Sequence, residues 1–289
     1  MTAPLIVLAT SQESPDITPS DRLYAEALER RGCRVSGAAW DGPGEAFAGA
    51  DAVVIRSTWG YYRSLEAFVA WTEAMAAATR LFNAIELVRW NLRKDYVAKL
   101  AAAGVRVPRS FVVACEPAAI GRVFTETGWE RAVVKPASGA SGYSVELVQA
   151  STLARQVAGL SDEARANGVV VQEFLPEIAE GELSMVFFDG VFSHAIRKRP
   201  PPGEFRSNSR YRPTLSAETP PGDVTLQGEA CLRALPEMPL YARVDGVVRD
   251  GRLIVIEVEV LEPALFMDRD PASAERFAEG TLRRLGSAR

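Results

Sequence analysis

The stretch VIEVEVLEP, which begins at Val255, restricts the possible folds strongly because apolar and acidic residues alternate along it. Successive side chains of a β-strand point to opposite faces, so Glu257 and Glu259 share one face and the apolar residues share the other. Two carboxylates at this spacing raise each other's pKa unless a cation lies between them. The stretch therefore predicts a strand with an apolar face against a core and an acidic face that requires positive charge.

An Asp-Gly pair at 250–251 separates this strand from the apolar run YARVDG. Asp-Gly between two apolar runs is a strong signal for a β-hairpin, and the hairpin would bring Asp245 close to Glu257 and Glu259. Three carboxylates in one place suit Mg²⁺, which proteins hold with one or two carboxylates and the phosphates of a substrate. The alternative is a solvated strand face balanced by neighbouring arginines, because charged faces are common on antiparallel sheets.

Lysine is scarce in this chain. Only four of the 33 lysine and arginine residues are lysines, namely Lys94, Lys99, Lys135 and Lys198. In a chain that prefers arginine, lysine is expected where a compact and rotatable charge is needed. Lys99 is expected to be a solvated helix charge, whereas Lys198 lies in a basic run, RKR, that faces either a phosphate or solvent.

The segment VVKPASGASG, residues 133–142, combines a strand that carries Lys135 with a loop rich in glycine and serine. Such a loop exposes backbone N–H groups to phosphate oxygens while the lysine supplies positive charge. Its spacing matches neither the P-loop nor the dinucleotide fingerprint. A glycine-rich hairpin turn explains the same residues, because glycine and serine dominate turns. Together with the downstream carboxylates, however, the segment indicates a site for Mg²⁺ and a nucleotide.

The composition excludes several classes of function. A net charge of −4 argues against binding to nucleic acid, which requires a basic surface. No apolar run approaches the length of about 18 residues that a membrane span needs. A single histidine excludes a zinc site with two or more histidines. Three scattered cysteines form neither a disulfide framework nor a metal cluster, so we expect a reducing, cytoplasmic location.

Strands and helices alternate over roughly the first 85 residues, which predicts a parallel α/β lobe. Three helices are expected at 20–32, 64–80 and 91–104, each capped by its first residue, namely Ser20, Ser64 and Asn91. Beyond them, hairpins alternate with helices, which is typical of α+β lobes with ligand-binding clefts between them. The predicted fold class is therefore α/β plus α+β. The predicted lobes are 1–88, 89–175 and 176–289.

Three further residues are candidates for contacts with a substrate. The segment STWGYY follows a strand of the predicted parallel sheet, where loops bind ligands. Thr58 and Trp59 are therefore candidates, although aromatic packing between lobes explains them equally well. Glu262 either orients a substrate amine or forms a surface ion pair of little energy. His194, the single histidine, is expected to be a hydrogen-bonded structural imidazole rather than a substrate contact.

The order of these parts resembles the ATP-grasp ligases over about residues 88–265. The segments that carry the resemblance are LRKDYVAKLAAAGVRVPRS, VVKPASGASG, VVVQEFLPEIAEGELSMVFFDG, GEFRSN and ARVD followed by EVE. Within that superfamily, IRSTWGYY, FSHAIRKR and EVEVLEPALF look most like the ligases that close O-ureidoserine into cycloserine. The ribosomal-protein glutamate ligases and the glutathione synthetases are also similar. The implied fold has an N-terminal α/β lobe, a central lid lobe and a C-terminal antiparallel lobe that carries the metal site.

The resemblance implies a role for each matching residue. Arg243 would contact phosphate, and Arg206 and Asn208 would contact the substrate or the transferred phosphate. Asp245, Glu257 and Glu259 would bind Mg²⁺ or Mn²⁺. The residues implied in ATP binding are Lys94, Lys135, Ser138, Gly139, Ser141, Gly142, Gln172, Glu173, Leu175 and Glu182.

The function implied is an ATP-dependent ligase that joins a carboxylate to an amine or amide nitrogen. Such an enzyme forms an acyl phosphate on a small amino-acid-like substrate and releases ADP and phosphate. Phosphoryl transfer asks a protein mainly for positioning and neutralisation of charge, which the lysines, arginines and metal would supply. A kinase of the same superfamily and an inactive nucleotide-binding module are the alternatives. A homodimer is a further expectation.

Overall fold

A four-stranded parallel sheet organises the N-terminal part of the chain in the computed structural model, which describes residues 2–139 and 142–286. The strand order is β2-β1-β3-β4. Its strands and the helices that cover them are β1 (Leu5–Thr10), α1 (Pro19–Arg30), β2 (Arg34–Ala39), β3 (Ala52–Ile55), α2 (Leu65–Ala78) and β4 (Arg80–Phe82). The central strands β1 and β3 are almost completely buried, as expected for a sheet covered on both faces. The predicted parallel lobe is confirmed.

All three predicted helix caps are wrong. Helix α1 is capped by Thr18, whose hydroxyl accepts a hydrogen bond of 3.1 Å from the N–H of Asp21. Proline at position 19 explains the shift from Ser20, because the first helical residue needs no N–H donor. Ser64 makes no side-chain cap either, since a short 3₁₀ turn over Tyr61–Ser64 leads into α2.

The helix predicted at 91–104 is shorter and begins later, as α4 (Tyr96–Ala102), and an unpredicted helix, α3 (Ile85–Asn91), ends where it was expected to start. Asn91 is not an N-cap, because its amide nitrogen donates to the carbonyl of Val258 and its amide oxygen accepts from the N–H of Val260. Between the helices, the N–H of Lys94 donates to the carbonyl of Ala137 over 2.7 Å. The interruption therefore fixes Lys94 against the segment that carries Lys135.

The central sheet is antiparallel and has the strand order β5-β8-β6-β7. Its strands and helices are β5 (Ser110–Val113), α5 (Pro117–Thr127), β6 (Arg131–Pro136), β7 (Glu146–Gln149), α6 (Leu153–Ala158), α7 (Asp162–Asn167) and β8 (Val169–Glu173). Strands β6 and β7 form the hairpin predicted on either side of the glycine-rich loop. Lys135 lies near the end of β6, where the loop begins.

The C-terminal sheet is also antiparallel, with the order β11-β10-β9-β12-β13. Its strands and helices are β9 (Glu182–Phe188), β10 (Val191–Arg199), β11 (Thr214–Glu218), α8 (Gly222–Leu232), β12 (Tyr241–Arg249), β13 (Arg252–Glu259) and α9 (Ala272–Gly286). The predicted hairpin at Asp250-Gly251 is confirmed, and a second Asp-Gly pair, at 189–190, joins β9 to β10. Asp250 and Gly251 have φ of 53° and 69°, as a two-residue turn with two left-handed positions requires.

Helix α9 joins the N-terminal and C-terminal sheets through a shared core. The ring of Phe277 stacks on Tyr24 of α1 at 3.9 Å and on Phe188 of β9 at 4.7 Å between centroids. The three sheets lie within 1–88, 89–175 and 176–289, and the lobe boundaries themselves remain predictions. Within residues 2–139 and 142–286, no helix has the length and apolar character that crossing a membrane requires.

Candidate active site

The β12–β13 hairpin brings the predicted acidic residues together. Asp245 pairs directly with Glu257, and Arg243 pairs directly with Glu259. Asp245 and Arg243 are 3% and 5% exposed, respectively, and Glu257 and Glu259 line a cleft between the central and C-terminal sheets. The apolar face of β13 packs into the core through Val258. The predicted alternation holds for Val258 and Val260, which pack into the core, but not for Ile256, which lines the cleft beside Glu257 because a β-bulge shifts the register at this point.

Arg243 compensates most of the buried negative charge on β12. Its Nε lies 2.9 and 3.0 Å from the two carboxylate oxygens of Asp245, and its Nη2 donates to both Asp245 and Glu259. The hydroxyl of Ser184 donates to Asp245 over 2.6 Å, and Lys198 Nζ lies 3.4 Å away. Burial alone would raise the pKa of Asp245, but the charges of Arg243 and Lys198 lower it well below its usual range.

Three of the four lysines reach the same cleft region. Lys94 forms an ion pair with Glu257, and Lys198 forms one with Glu182. Lys135 is buried, and its Nζ lies 3.2 Å from Oε1 of Gln172. Burial lowers the pKa of Lys135 to about 8, even though the carboxylate of Glu257 acts in the opposite direction. Lys99 is exposed, as expected for a solvated helix charge.

The chain's own cations neutralise the paired glutamates. The sequence predicts a bound metal nucleotide as the source of that charge. In the structure Lys94 pairs with Glu257 and Arg243 pairs with Glu259, and the role of these carboxylates as metal ligands stays a prediction. Accordingly, in the part of the chain that the structure describes, no three acidic, histidine or cysteine side chains are arranged to enclose a metal ion. The predicted ligands are adjacent but already paired.

Two carboxyl groups of the cleft hold their protons more tightly than usual. Burial, together with the charges of Glu257 and Asp245, raises the pKa of Glu259 to about 7. Burial and the neighbouring Glu259 raise the pKa of Glu262 to about 8. Glu262 is thus a buried cleft residue and not a surface ion pair. A nearby cation would favour the charged form of both groups, and carboxylate oxygens are ligands that suit Mg²⁺, so the residues present fit a divalent cation.

The opposite end of the cleft is apolar. The side chains that form it are Val133, Phe174, Leu175, Ile178, Phe205 and Ile256. Gln172 lies beneath them, with its amide nitrogen 3.0 Å from the hydroxyl of Ser110, and Glu173 lies at the rim. An apolar slot with a few polar groups at its edge is the usual form of a site for a planar ligand.

The loop before β11 covers the glycine-rich loop. A Cβ on Gly142, which has φ of +67°, would lie 2.4 Å from Oδ1 of Asn208, so only glycine fits here. The hydroxyl of Tyr211 donates to the carbonyl of Gly142 over 3.2 Å. Arg206 stacks over the ring of Tyr211, with Cζ 4.0 Å from its centroid. The contact brings both predicted loops to one wall of the cleft.

Arg206 has a partner that the sequence did not reveal. Its Nε and Nη2 donate to the two oxygens of Glu204 over 2.9 and 2.8 Å. Hydrogen bonds from Arg206 lower the pKa of Glu204 to about 2. An i, i+2 pair in the segment GEFRSN was the available signal. Arg206 lines the cleft, and a role on substrate or phosphate stays a prediction.

The remaining predicted residues are placed differently. Gly139 lines the cleft, Ser138 is buried beside it, and Ser141 lies outside the described residues. Thr58 is completely buried at the end of β3. Trp59 does not line the main cleft and lines a separate one in the N-terminal lobe. His194 bonds to the carbonyl of Leu265 over 2.8 Å, as expected of a structural imidazole.

Three residues of the main cleft were missed by the sequence analysis. Tyr61 and Tyr96 contribute buried rings to its walls, and Asn91 fixes β13 from behind. Burial raises the pKa of Tyr61 well above its usual value, and Glu262 adds to the effect. The run GYY was a sequence signal that Tyr61 lines the cleft. A tyrosine at helical spacing, however, is more often part of a core.

Two family descriptions match the chain. D-cycloserine synthetase DcsG, N-terminal domain, matches residues 6–83, and prokaryotic glutathione synthetase, ATP-grasp domain, matches residues 99–219. The cycloserine biosynthesis protein DcsG of Streptomyces lavendulae is 34% identical over 256 residues, which are 81% of this chain and 83% of that protein. A glutathione synthetase of Parasynechococcus marenigrum is 28% identical over 54% of this chain and 50% of its own length.

Solved structures agree with these matches. The crystal structure of D-cycloserine synthetase DcsG has a TM-score of 0.86 at 31% identity, and the match covers 97% of this chain and 99% of that chain. The ATP-grasp ligase PsnB, complexed with minimal precursor, Mg and ADP, has a TM-score of 0.65 at 19% identity, with 98% of both chains covered. The latter likeness shows the fold alone. From its sequence identity to DcsG and from this fold, the chain belongs to the ATP-grasp ligases.

Proposed function

We propose that this protein is an ATP-dependent ligase that joins a carboxylate to an amine or amide nitrogen through an acyl phosphate. The observation that carries the proposal is the convergence of Lys94, Lys135 and Arg243 on the acidic end of a cleft whose other end is apolar. The base of a nucleotide needs an apolar environment and its phosphates need a cationic one, and the two environments must be adjacent. The membership in the ATP-grasp ligases supports the same reaction class.

ATP would lie along the cleft with its base at the apolar end. Leu175 and Ile178 would pack on the base, and Glu182 would face the ribose hydroxyls. Lys135 and Lys94 would bind the phosphates, together with backbone N–H groups of the glycine-rich loop. Lys135 is suited to this role because, apart from Gln172, no side chain hydrogen-bonds its ammonium group among the contacts of the described residues.

Mg²⁺ would be held by Asp245, Glu257 and Glu259, and it would supply neutralisation of phosphate charge. Mn²⁺ accepts the same oxygen donors, and we include it in the proposal. The ion pairs of these carboxylates with Arg243 and Lys94 must then be shared with the metal. Lys94 and Arg243 would also contact phosphate oxygens. Each lies beside the carboxylates that would hold the metal, and the metal would bind the phosphates.

The reaction follows from this arrangement. An oxygen of the substrate carboxylate attacks the γ-phosphorus of ATP, the bond to the β–γ bridging oxygen breaks, and ADP leaves with its electron pair. The nitrogen nucleophile then attacks the acyl carbon, the carbon–oxygen bond to phosphate breaks, and the nitrogen loses a proton. Arg243, and Arg206 from the covering loop, would stabilise the charge on the transferred group. Removing one such donor typically lowers the rate by about 10²–10³.

The substrate is proposed to be a small amino-acid-like molecule. The name of the DcsG protein refers to cycloserine biosynthesis, and the first 83 residues, where an acceptor would be selected, match that family. Asn208, Thr58, Trp59 and Glu262 are the proposed substrate contacts. A homodimer and a cytoplasmic location are further proposals that rest on the sequence.

A screen for release of ADP and phosphate tests the reaction class. Purified protein with Mg²⁺ and ATP is given amino acids and their ureido and hydroxylamine derivatives, singly and in pairs. A ligase releases phosphate only when a carboxylate and a nitrogen are both present, either in one molecule or in two. A stable phosphorylated product from a single substrate would instead identify a kinase. Nucleotide binding without any ADP release would identify an inactive binding module.

A further inference from the structure

Six buried polar atoms in the described part of the N-terminal lobe have no hydrogen-bond partner, and two of them are the indole nitrogens of Trp40 and Trp71. The other four belong to the segments that follow two neighbouring strands. They are Oγ of Ser11, Nη1 of Arg56, Oγ of Ser57 and Oγ1 of Thr58. Each belongs to a residue that is no more than 3% exposed. A buried polar group without a partner is costly, and native proteins leave few of them unless an unseen ligand or water is involved. These four atoms are half of the eight found among the described residues.

All four atoms lie at one edge of the parallel sheet. Ser11 directly follows β1, and residues 56–58 directly follow β3. The backbone N–H groups of Arg56 and Ser57 both donate to the carbonyl of Ala9 over 3.1 Å, so the two segments leave the sheet side by side. In the order β2-β1-β3-β4, the connections from β1 and from β3 run in opposite directions. The crevice between such strands is where open α/β sheets bind ligands.

Arg56 connects this edge with the main cleft. Its Nε lies 2.8 Å from Oδ1 of Asp21, and its Nη2 donates over 2.8 Å to the carbonyl of Pro263. Pro263 directly follows Glu262, which lines the main cleft. Two of the three guanidinium nitrogens are therefore fixed by the protein, and the third is held in place without a partner. This is the arrangement of a group that is oriented before its ligand arrives.

We propose that Arg56 Nη1 and the hydroxyls of Ser11, Ser57 and Thr58 bind a carboxylate of the substrate. The four groups offer hydrogen-bond donors, and a carboxylate is acceptor-only with two oxygens to satisfy them. Asp21, the acidic partner of Arg56, also accepts from the hydroxyl of Thr18 and is already engaged. The proposal rests on the ligase function proposed above and adds the residues that would recognise a substrate there.

The substitution Thr58→Val tests this assignment because it removes the hydroxyl and keeps the branched shape. If the hydroxyl serves only the fold, it needs a partner within the protein, and its removal lowers the melting temperature. If it serves a substrate, the fold loses nothing, and the melting temperature stays unchanged or rises. Binding of the substrate then weakens about tenfold or more, as expected for loss of a hydrogen bond to a charged group.

The binding measurement is calorimetry of the intact protein with O-ureidoserine, D-alanine and D-serine, each beside its carboxamide analogue. We expect at least one carboxylic acid to bind the unchanged protein more tightly than its amide, and Thr58→Val and Ser57→Ala to abolish that preference. Binding of none of the three acids, or equal binding of acid and amide, would overturn the proposal. So would unchanged affinity in both variants, which would leave a buried water as the partner of these atoms.

Ser273→Ala is the matched control. The Ser273 hydroxyl is also buried without a partner, but it lies at the start of α9, away from this edge. Its removal should change neither substrate affinity nor melting temperature by a measurable amount. Calorimetry with Mg²⁺ and ATP is run on each variant. If the unchanged protein does not bind Mg²⁺ and ATP, the proposed ligase function is rejected. If it binds them but does not prefer the carboxylic acid to its amide, only this subsite is rejected.

Discussion

Asp245 and Glu257 lie directly opposite each other on β12 and β13, yet they are bound by cations from different parts of the chain. Asp245 is held by Arg243 of its own strand and by Lys198 of β10. Glu257 is held by Lys94, which lies between α3 and α4. Like charges on facing positions would otherwise destabilise the hairpin. These ion pairs therefore connect the acidic hairpin to strand β10 and to the segment between α3 and α4.

Asp245→Asn should destabilise the protein strongly. It removes a carboxylate that two buried cations share, so that Arg243 keeps only Glu259 and Lys198 keeps only Glu182, and breaking a buried ion pair costs about 3–5 kcal/mol. The free energy of unfolding is measured by urea denaturation. Glu73→Gln is the control, because its ion pair with Arg89 is about half exposed and should contribute less than about 1 kcal/mol. Equal losses of unfolding free energy in Asp245→Asn and Glu73→Gln would show that Asp245 does not belong to a buried network of ion pairs.

Lys135→Met should remove most of the catalytic activity without loss of stability. The ammonium group is buried, and burial lowers its pKa to about 8, so the charge costs free energy in the folded state. We expect kcat/KM for ATP to fall by about 10²-fold or more, while the melting temperature stays unchanged or rises. ADP release and thermal unfolding measure the two effects. Lys99→Met, at an exposed position of α4, should alter neither.

The stability of the nucleotide-free protein should fall as pH rises from about 5 to about 8. Burial and Glu259 raise the pKa of Glu262 from 4.5 to about 8, although Arg243, Lys94 and Arg56 oppose the shift. Between these values the folded protein holds a proton that the unfolded chain has released, so deprotonation favours unfolding. This contribution is fully present below pH 4.5 and is lost as pH passes through about 8.

Glu262→Gln checks this assignment. Glutamine keeps the size of the side chain and cannot titrate, so the decline in unfolding free energy across that interval should become shallower. Urea denaturation at a series of pH values measures it. Glu66→Gln, at an exposed position of α2, should leave the decline unchanged. An identical pH profile for Glu262→Gln and the unchanged protein would show that Glu262 keeps an ordinary pKa.

The sequence predicted the strands of the site better than its loops and helix ends. Alternation over β13 and the Asp-Gly turn predicted that Asp245 lies near Glu257, but the register set by the turn alone would pair Asp245 with Ile256. A β-bulge between Asp245 and Gly246 shifts the register by one residue and places Asp245 opposite Glu257. The break between α3 and α4 could not be predicted, since it depends on a contact of Lys94 with Ala137, which is distant in the chain. Local helix propensity was overridden there by a tertiary hydrogen bond.

The sequence also could not show which groups compensate the charges of Glu257 and Glu259. The spacing of Glu257 and Glu259 required a cation, but it did not distinguish a metal from a basic side chain. Arg243, two positions before Asp245, was predicted to contact phosphate. In the structure its guanidinium donates hydrogen bonds to the carboxylates of Asp245 and Glu259. Scarcity of lysine was a better guide, because the three lysines near the cleft are paired or buried and the fourth is exposed.

Gly142→Ala should weaken ATP binding by disturbing the contact between the glycine-rich loop and the loop before β11. A Cβ at this position would lie 2.4 Å from Oδ1 and 2.9 Å from Cγ of Asn208, so one of the two loops must move. The left-handed φ of +67° adds a strain of about 1–2 kcal/mol. We expect KM for ATP to rise about tenfold or more, measured by ADP release over a series of ATP concentrations.

Gly128→Ala separates strain from contact. Gly128 has a similar φ of +71° at the end of α5, but a Cβ there would meet nothing within 4 Å. This control should lose about the same stability through strain and keep the KM for ATP. The double variant Gly142→Ala with Asn208→Gly removes the two nearest atoms, leaving Cε2 of Tyr211 at 3.2 Å, and should recover part of the lost affinity. If the two single variants raise KM equally, backbone strain alone accounts for the effect, and the loop contact has no part in holding ATP.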